Sequence, residues 1–206
     1  MQMPVIVISG LPGAGSTTLS KLIAQKLSLD YFSPGRVFKD IAHGKVEQQY
    51  YYQNLKELFD KKGIIIPKLK ASNESEAALN LWNTELGKSK ELHNILDKLQ
   101  LELAQKGNIV IDGKLSLFMI KNADFKIWLK ASQEARIKRS AQRDNIEFEI
   151  AREIIPQREQ KELEEWTRIY DFDYREQEKI ADLVINTSNL SPDEIADKII
   201  NASKKL

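Results

Sequence analysis

The order of apolar and polar positions along the chain predicts strands that alternate with helices. A β-branched apolar run starts at Val5 and gives way to a turn rich in Gly and Pro, after which residues 17–27 place Leu and Ile on one helical face. Four more short apolar runs predict strands at 31–32, 108–111, 125–129 and 182–186. Strands that alternate with helices are typical of a parallel sheet with helices on both faces. The pattern therefore predicts an α/β fold with a five-stranded parallel sheet.

Capping signals mark several of the predicted helices. One helix is expected to begin near Arg36, and Asn73 followed by Glu76 resembles a capping box that opens another. Apolar residues from 92 to 103 lie at helical spacing and predict a long amphipathic helix that stops at Gly107. Further helices are predicted at 132–142 and after the Ser-Pro-Asp-Glu sequence at 191–194.

Length and local composition indicate one core with two added segments. A chain of 206 residues is long enough for one substantial core with an insertion, and hardly for two independent domains. The composition shifts at 44–87 to Gln, Asn, Lys and Glu, with tyrosines at 50–52, which predicts an inserted and mostly helical lobe. The charged stretch 145–179 shows little continuous apolar face and is suited to be a lid that closes over a ligand. A helical arm that binds a partner is the alternative for that stretch.

The stretch VIVISGLPGAGSTT has the order strand, glycine-rich loop and helix that is typical of a phosphate cradle. Glycines let successive backbone N–H groups point at phosphate oxygens, with a helix N-terminus behind them. Ser16 stands where the P-loop pattern has a lysine, while Thr17 fits the position that ligates Mg²⁺. We expect the phosphate-binding residues to be Gly10, Leu11, Gly13, Ala14, Gly15, Ser16, Thr17 and Thr18. The alternative is a plain strand-turn-helix whose glycines bind no ligand.

Polar residues follow the third predicted strand, at the edge of the sheet where such folds bind ligands. Asp112 could hold Mg²⁺ directly or through water, together with the hydroxyl of Thr17. Lys114 follows it, and with Arg36 and Lys39 it could form a basic ring that faces an acceptor phosphate. An ordinary turn aspartate and solvated basic side chains are the alternatives.

Arginines recur at helical spacing ahead of the charged stretch. Arg136, Arg139 and Arg143 lie three and four residues apart, so one helical face carries all of them. Such a face could clamp the phosphates of a donor nucleotide, and Arg158 adds a further charge within the predicted lid. A charged helix that only faces solvent is the alternative.

The overall composition limits the expected partners. The chain has 31 Lys and Arg against 30 Asp and Glu, and a net charge of +1 gives no overall reason to expect nucleic acid. No apolar run approaches the roughly 20 residues of a membrane span, and the first residues lack signal-peptide features, so a cytoplasmic protein is expected. The absence of Cys excludes disulfides and thiolate ligands, and two His residues form no metal-binding cluster. Any phosphate binding must therefore come from local clusters.

Several sequence blocks, in a fixed order, resemble the archaeal cytidylate kinase family. They are the P-loop, FSPGRVFKDIA, the LDKLQ of the long helix, VIDGKLSLFM, ADFKIWLKAS with its following arginines, and the segment from YDFDY to DLVINTS. The family belongs to the P-loop nucleoside monophosphate kinases, and the resemblance covers nearly the whole chain except 44–87. It implies a single kinase domain over 1–206, with an acceptor-binding lobe at 36–106 and a lid at 143–175.

The resemblance also implies an activity and a role for each candidate residue. ATP bound at the P-loop would phosphorylate CMP or dCMP, with Mg²⁺ placed by Thr17 and Asp112. The implied catalytic residues are Asp112, Arg136, Arg139 and Arg158. The implied acceptor-binding residues are Arg36, Lys39, Asp97, Gln100 and Lys114.

The chain departs from the family pattern at several of these positions. Lys39 and Lys114 stand where the family has arginine, and lysine keeps the charge but loses the bidentate geometry. His93 occupies an acidic position that helps read the acceptor base. Leu163 and Glu165 replace lid arginines. We therefore expect a phosphotransferase. The alternatives are a nucleotide-binding protein with little kinase activity and an adenylate-kinase-like NTPase that acts through a protein or RNA partner.

Overall fold

The computed structural model describes residues 4–43, 50–67 and 69–203, and its centre is a parallel sheet of five strands. The strands are β1 (Val5–Gly10), β2 (Asp30–Phe32), β3 (Ile109–Asp112), β4 (Phe125–Lys130) and β5 (Leu183–Asn186). Their order across the sheet is β2-β3-β1-β4-β5, and every neighbouring pair is parallel. The predicted α/β fold with a five-stranded parallel sheet is thus confirmed.

Helices follow the strands and account for most of the other described residues. They are α1 (Ser16–Leu27), α2 (Pro34–Ala42), α3 (Tyr50–Lys62), α4 (Glu74–Trp82), α5 (Glu85–Lys88), α6 (Lys90–Lys106), α7 (Ser116–Met119), α8 (Gln133–Asp144), α9 (Phe148–Tyr170) and α10 (Pro192–Ser203), with a 3-10 helix at Tyr174–Ile180. Residues 44–49 of the predicted lobe, and the side chains of the tyrosines at 50–52, lie outside the described residues.

Local capping explains where several helices begin. The Asn73 side chain accepts a hydrogen bond from the backbone N–H of Glu76, as the capping pattern predicts for α4. Helix α2 begins two residues before the predicted Arg36, because Ser33 caps it and Pro34 fits the first helical position. Ser33 and Pro34, which directly follow β2, are therefore the start of this helix.

The two faces of the sheet belong to two hydrophobic clusters. Side chains alternate along β1, so Val5 and Val7 face one cluster while Ile6 and Ile8 face the other. The first cluster also contains residues of α2, α4 and α6, so the helices of the predicted lobe pack against the sheet. The second contains residues of α1 and α10. This arrangement covers both faces with helices.

Helix α9 has a mixed inward face. Ala151, Ile155 and Ile169 are buried along it, but so are Arg158 and Glu162. The sequence pattern showed little apolar periodicity here because charged residues occupy part of the buried face. Within the part of the chain that the structure describes, no helix is long and apolar enough to cross a membrane.

Candidate active site

The loop after β1 has the backbone conformation of a phosphate cradle. Gly13 and Gly15 have positive φ angles of 79° and 100°, in the left-handed region that favours glycine. A Cβ at Gly13 would also lie only 2.5 Å from the carbonyl oxygen of Arg136. Among the described residues no side chain caps α1, so its first backbone N–H groups are available to an anion. The loop can therefore bind phosphate through its backbone.

A hydroxyl and a carboxylate meet beside this loop. The strand register places Ile8 opposite Asp112, so the carboxyl ends of β1 and β3 lie side by side. The Thr17 hydroxyl donates a 2.7 Å hydrogen bond to Oδ2 of Asp112, which is buried, and the Tyr31 hydroxyl lies 3.4 Å from the same oxygen. Burial and the Asp112 charge raise the pKa of Tyr31. Oxygen donors of this kind fit Mg²⁺, which usually takes one or two carboxylates and completes its shell with water and phosphate.

Lys39 and Arg36 of α2 form one basic group near the cavity, and both contact a glutamate of α4. Nζ of Lys39 lies 2.6 Å from Glu74, and Nη1 of Arg36 lies 3.1 Å from it. Burial lowers the pKa of Lys39, although Glu74 acts against this shift. Arg143 of α8 joins the group, with Nε 2.8 Å from Asp144 and Nη2 donating to the Ser75 hydroxyl.

Lys114 and Arg158 form a second basic group. Nζ of Lys114 donates to the carbonyl oxygen of Gly10 at 3.0 Å and lies 3.5 Å from Glu162. Nε of Arg158 donates to the same glutamate at 2.8 Å. Burial lowers the pKa of Lys114 to about 8, against the opposing effect of Glu162. Glu162 itself stays ionised, because the charges of Arg158 and Lys114 outweigh its burial and lower its pKa.

An aromatic wall closes the cavity on the lobe side. The Trp82 ring stacks on His93 at a centroid distance of 4.9 Å, and Trp166 of α9 meets both rings edge-on at 4.9 Å. Nε2 of His93 lies 2.7 Å from the carbonyl oxygen of Gly87. Burial lowers the pKa of His93 to about 4, so its ring is neutral at pH 7. The ring therefore brings no charge to this wall of the cavity.

Asp97 and Gln100 lie at the cavity, one turn apart on α6. Asp97 accepts hydrogen bonds from the Tyr170 hydroxyl and from Nε2 of Gln100. The Ser116 hydroxyl donates to Oε1 of Gln100 at 2.7 Å. Burial raises the pKa of Asp97. These two side chains thus form a fixed polar network against one wall of the cavity.

One cavity brings together most of the residues named from the sequence. Its lining includes Gly10, Leu11, Gly13, Ser16, Thr17, Lys39, Asp97, Gln100, Asp112, Lys114, Arg143 and Arg158. Three further candidates, Ala14, Gly15 and Thr18, are chain neighbours of lining residues. Arg36 contacts Glu74, which also contacts the lining residue Lys39. Donor-side and acceptor-side candidates therefore open onto the same space.

The structure does not bring Arg136 and Arg139 into that cavity. Arg136 is buried behind the P-loop, where Nη1 donates to the carbonyl oxygen of Pro12 and the guanidinium pairs with Glu159. Arg139 donates to the Thr187 hydroxyl and carbonyl and to the carbonyl oxygen of Ala14. Helical spacing gave these two arginines the same face as Arg143, but that face spans the back of the P-loop as well as the cavity. Both arginines contact the loop from behind, and their contact with the donor phosphates stays a prediction.

Two glutamates of the site were not named from the sequence. Glu162 lies four residues after Arg158, a spacing that favours ion pairs on a helix and could have pointed to it. Glu74 meets Lys39 across 35 residues, and no local pattern predicts such a contact.

Solved structures with the same architecture share little sequence with this chain. An uncharacterized protein from Eubacterium ventriosum superposes with a TM-score of 0.64 at 13% identity over 100% of both chains. Shikimate kinase from Acinetobacter baumannii superposes with a TM-score of 0.52 at 18% identity, over 98% of this chain and 94% of that one. At these identities the likeness shows the fold. Together with the glycine-rich loop between β1 and α1, it defines a P-loop α/β fold.

Sequence comparison identifies the family to which the chain belongs. The model of the cytidylate kinase-like family matches residues 5–189. Cytidylate kinase from Pyrococcus horikoshii is 34% identical, over 92% of this chain and 82% of the relative. Cytidylate kinase from Sulfurisphaera tokodaii is also 34% identical, over 96% and 93%. The chain belongs to the cytidylate kinase-like family and is a nucleoside monophosphate kinase.

Proposed function

We propose that this kinase transfers the γ-phosphoryl group of ATP to CMP or dCMP. The observation that carries the proposal is the cavity itself, in which the P-loop with Thr17 and Asp112 faces Lys39 and Lys114. A phosphoryl donor and a monophosphate acceptor each have a set of suitable groups there. The names of the relatives support cytidylate as the acceptor.

The P-loop side is suited to the donor. Backbone N–H groups around Gly13 and Gly15 would hold the β- and γ-phosphates, while Ser16 adds a neutral hydroxyl where other P-loops add a lysine charge. Thr17 and Asp112 would hold Mg²⁺, which neutralises charge on the phosphates when bound. Arg136 and Arg139 support the donor site indirectly, because they hold the back of the loop in place.

The acceptor side depends on lysines. Lys39 and Lys114 would bind the monophosphate as point charges, whereas arginines could fork onto it. Arg36 contributes its charge from beside Lys39. Asp97 and Gln100 present a carboxylate and an amide next to the aromatic wall, where a planar base can stack and form hydrogen bonds.

Transfer needs positive charge between the two sides. Arg143 and Arg158 line the cavity and could stabilise the charge on the transferring group. Arg158 comes from α9 and Arg143 from the end of α8, so the predicted lid would contribute both. The protein supplies position and charge in this reaction, with no covalent intermediate.

A coupled assay tests the proposal. Purified protein is mixed with ATP, Mg²⁺ and, separately, CMP, dCMP, UMP, AMP and GMP, and ADP formation is followed. We expect turnover with CMP and dCMP well above that with the other acceptors. A preference for another monophosphate would contradict the acceptor, and ADP formation without any acceptor would indicate an NTPase.

A second function is favoured by one feature of the cavity. Lys39, Lys114, Arg143 and Arg158 each contact a carboxylate of the protein, which reduces the charge available to phosphates. A nucleotide-binding protein with weak turnover would show this arrangement. Nucleotide binding in a calorimeter without turnover in the coupled assay would support it.

A further inference from the structure

A carboxylate that has no role in the proposed reaction contacts the basic residues on the acceptor side of the cavity. Glu74 is the first residue of α4. Its Oε2 lies 2.6 Å from Nζ of Lys39, and its Oε1 lies 3.1 Å from Nη1 of Arg36. Nε of Arg143 lies 3.8 Å from Oε2. One side chain of α4 thus joins cations from α2 and α8.

The contacts of Glu74 are those that a phosphate monoester would make. Its two oxygens accept charged hydrogen bonds from a lysine and an arginine, as phosphate oxygens do. Lys39 is largely buried, with 13% of its side chain exposed, so its ammonium has little access to water as a substitute partner. Burial opposes ionisation of Glu74, but Lys39, Arg143 and Arg36 together outweigh it, and the pKa of Glu74 is lowered.

We propose that Glu74 is an internal competitor of the acceptor phosphate. The Nε of Arg36 is held by Asp40, so Nη1 of Arg36 and Nζ of Lys39 are the donors in question, and both point at Glu74. A phosphate group that binds these two donors must displace this carboxylate, because the same N–H bonds cannot be aligned on both anions. Glu74 is part of α4, so this helix keeps the donors of Lys39 and Arg36 occupied until a phosphorylated ligand arrives. The identity of that ligand as a nucleoside monophosphate rests on the proposed function, whereas the competition itself does not.

Displacement of Glu74 is expected to change the contacts of other residues of α4. The next residue, Ser75, is buried and accepts a 2.7 Å hydrogen bond from Nη2 of Arg143. At the other end of the helix, Trp82 packs on Phe38 of α2 with ring centroids 4.8 Å apart. A change in the ion pairs at the start of α4 is therefore expected to alter the fluorescence of Trp82 at its end.

The test compares the affinity of three variants for inorganic phosphate. Glu74→Gln removes the competing charge, and Glu74→Asp keeps the charge on a shorter side chain. Glu76→Gln is the matched control, because Glu76 lies in the same helical turn and accepts a hydrogen bond from the backbone N–H of Ser72 instead. Calorimetry at fixed ionic strength, with the P-loop first saturated with a non-hydrolysable ATP analogue, gives each Kd for phosphate. Tryptophan fluorescence, to which Trp128 and Trp166 also contribute, follows the surroundings of Trp82.

The expected order follows from the lost ion pairs. Glu74→Gln loses partly exposed ion pairs with three cations, so we expect it to bind phosphate roughly three- to tenfold more tightly. Glu74→Asp should bind with intermediate affinity, and Glu76→Gln should match the unmodified protein. Where CMP is turned over, its KM should fall in the same order while the Kd for ATP stays constant.

Other outcomes separate this proposal from the proposed function. Equal or weaker phosphate binding by Glu74→Gln, or no binding by any variant, overturns the competition. Weaker binding would mean that Glu74 positions the cations for phosphate. Since the phosphate titration needs no turnover, inactivity with every monophosphate would contradict the proposed function and leave the competition standing.

Discussion

Asp112 carries the carboxylate on which the proposed metal site depends. It lies at the end of β3, is buried, and accepts the hydrogen bond of the Thr17 hydroxyl. Its position could be predicted from the sequence, because the carboxyl ends of neighbouring parallel strands meet at one edge of the sheet. The side chain of Thr17 could be placed for the same reason, since the P-loop follows the adjacent strand.

Replacement of Asp112 by Asn tests this role. The amide keeps the shape but removes the negative charge, so we expect kcat to fall by roughly a hundredfold, as for other lost electrostatic contributors. The Tm should change little. Steady-state kinetics at several Mg²⁺ concentrations would detect a raised Mg²⁺ requirement. An unchanged rate at low Mg²⁺ would remove Asp112 from the metal site.

We expect Lys114 to give the proposed acceptor site a pH dependence. Burial lowers its pKa to about 8, below the ordinary value of 10.5. The ammonium is therefore fully charged below pH 7 and loses its charge as the pH rises through about 8. If this charge binds the acceptor phosphate, kcat/KM for CMP should fall by up to about tenfold per pH unit above pH 8.

The matched variant for this pH profile is Lys114→Arg. A guanidinium remains charged over the whole range, so the decline above pH 8 should disappear. Kinetics from pH 6 to 10 with both proteins would show it. The same decline in both proteins would assign it to another group.

The helices show which signals in the sequence are local. The caps of α4 and α10 were predictable, because each depends on residues three positions apart. The contacts of Glu74 with Lys39 and of Glu162 with Lys114 were not predictable, because they join residues from separate helices and loops. The contacts of Arg136 and Arg139 behind the P-loop were not predictable for a related reason. Spacing defines a helical face but does not say which neighbour that face meets.

Helix α8 is expected to hold the P-loop through Arg139. Loss of its hydrogen bonds to Thr187 and Ala14 in Arg139→Ala should cost about 2 kcal/mol of unfolding free energy. This predicts a Tm lower by roughly 4–8 °C. The neighbouring Lys138 is exposed, so Lys138→Ala is the control and should leave the Tm unchanged. If Arg139→Ala kept its Tm but lost affinity for ATP, the result would support a direct contact of Arg139 with the donor phosphates.

Three parts of the molecule meet at the cavity. The sheet supplies the P-loop and Asp112, and the helices α2, α4 and α6 supply Lys39 and the rings of Trp82 and His93. Helices α8 and α9 supply Arg143, Arg158 and the ring of Trp166. The aromatic wall joins the last two parts, since Trp166 of α9 contacts Trp82 and His93. No local pattern predicts this junction, because the residues that form it are far apart in the chain.

The junction should couple the two substrates energetically. If CMP orders the lobe side and an ATP analogue orders α8 and α9, each ligand prepares the contact that the other needs. We expect the Tm increase with both ligands to exceed the sum of the separate increases. Trp166→Leu removes the aromatic contact and should make the increases additive. Differential scanning fluorimetry with a non-hydrolysable ATP analogue measures all of them.

Phe172→Leu is the control for this experiment. Phe172 stacks on Phe118 at 4.5 Å, and neither ring lines the cavity, so its loss removes a comparable contact elsewhere in the same part of the chain. This variant should keep the excess stabilisation, even if its own Tm is lower. If both variants lose the excess, general destabilisation explains it. If Trp166→Leu keeps the full excess, the substrates are coupled through the phosphates and their cations, and the aromatic wall serves only to pack the lobe against α9.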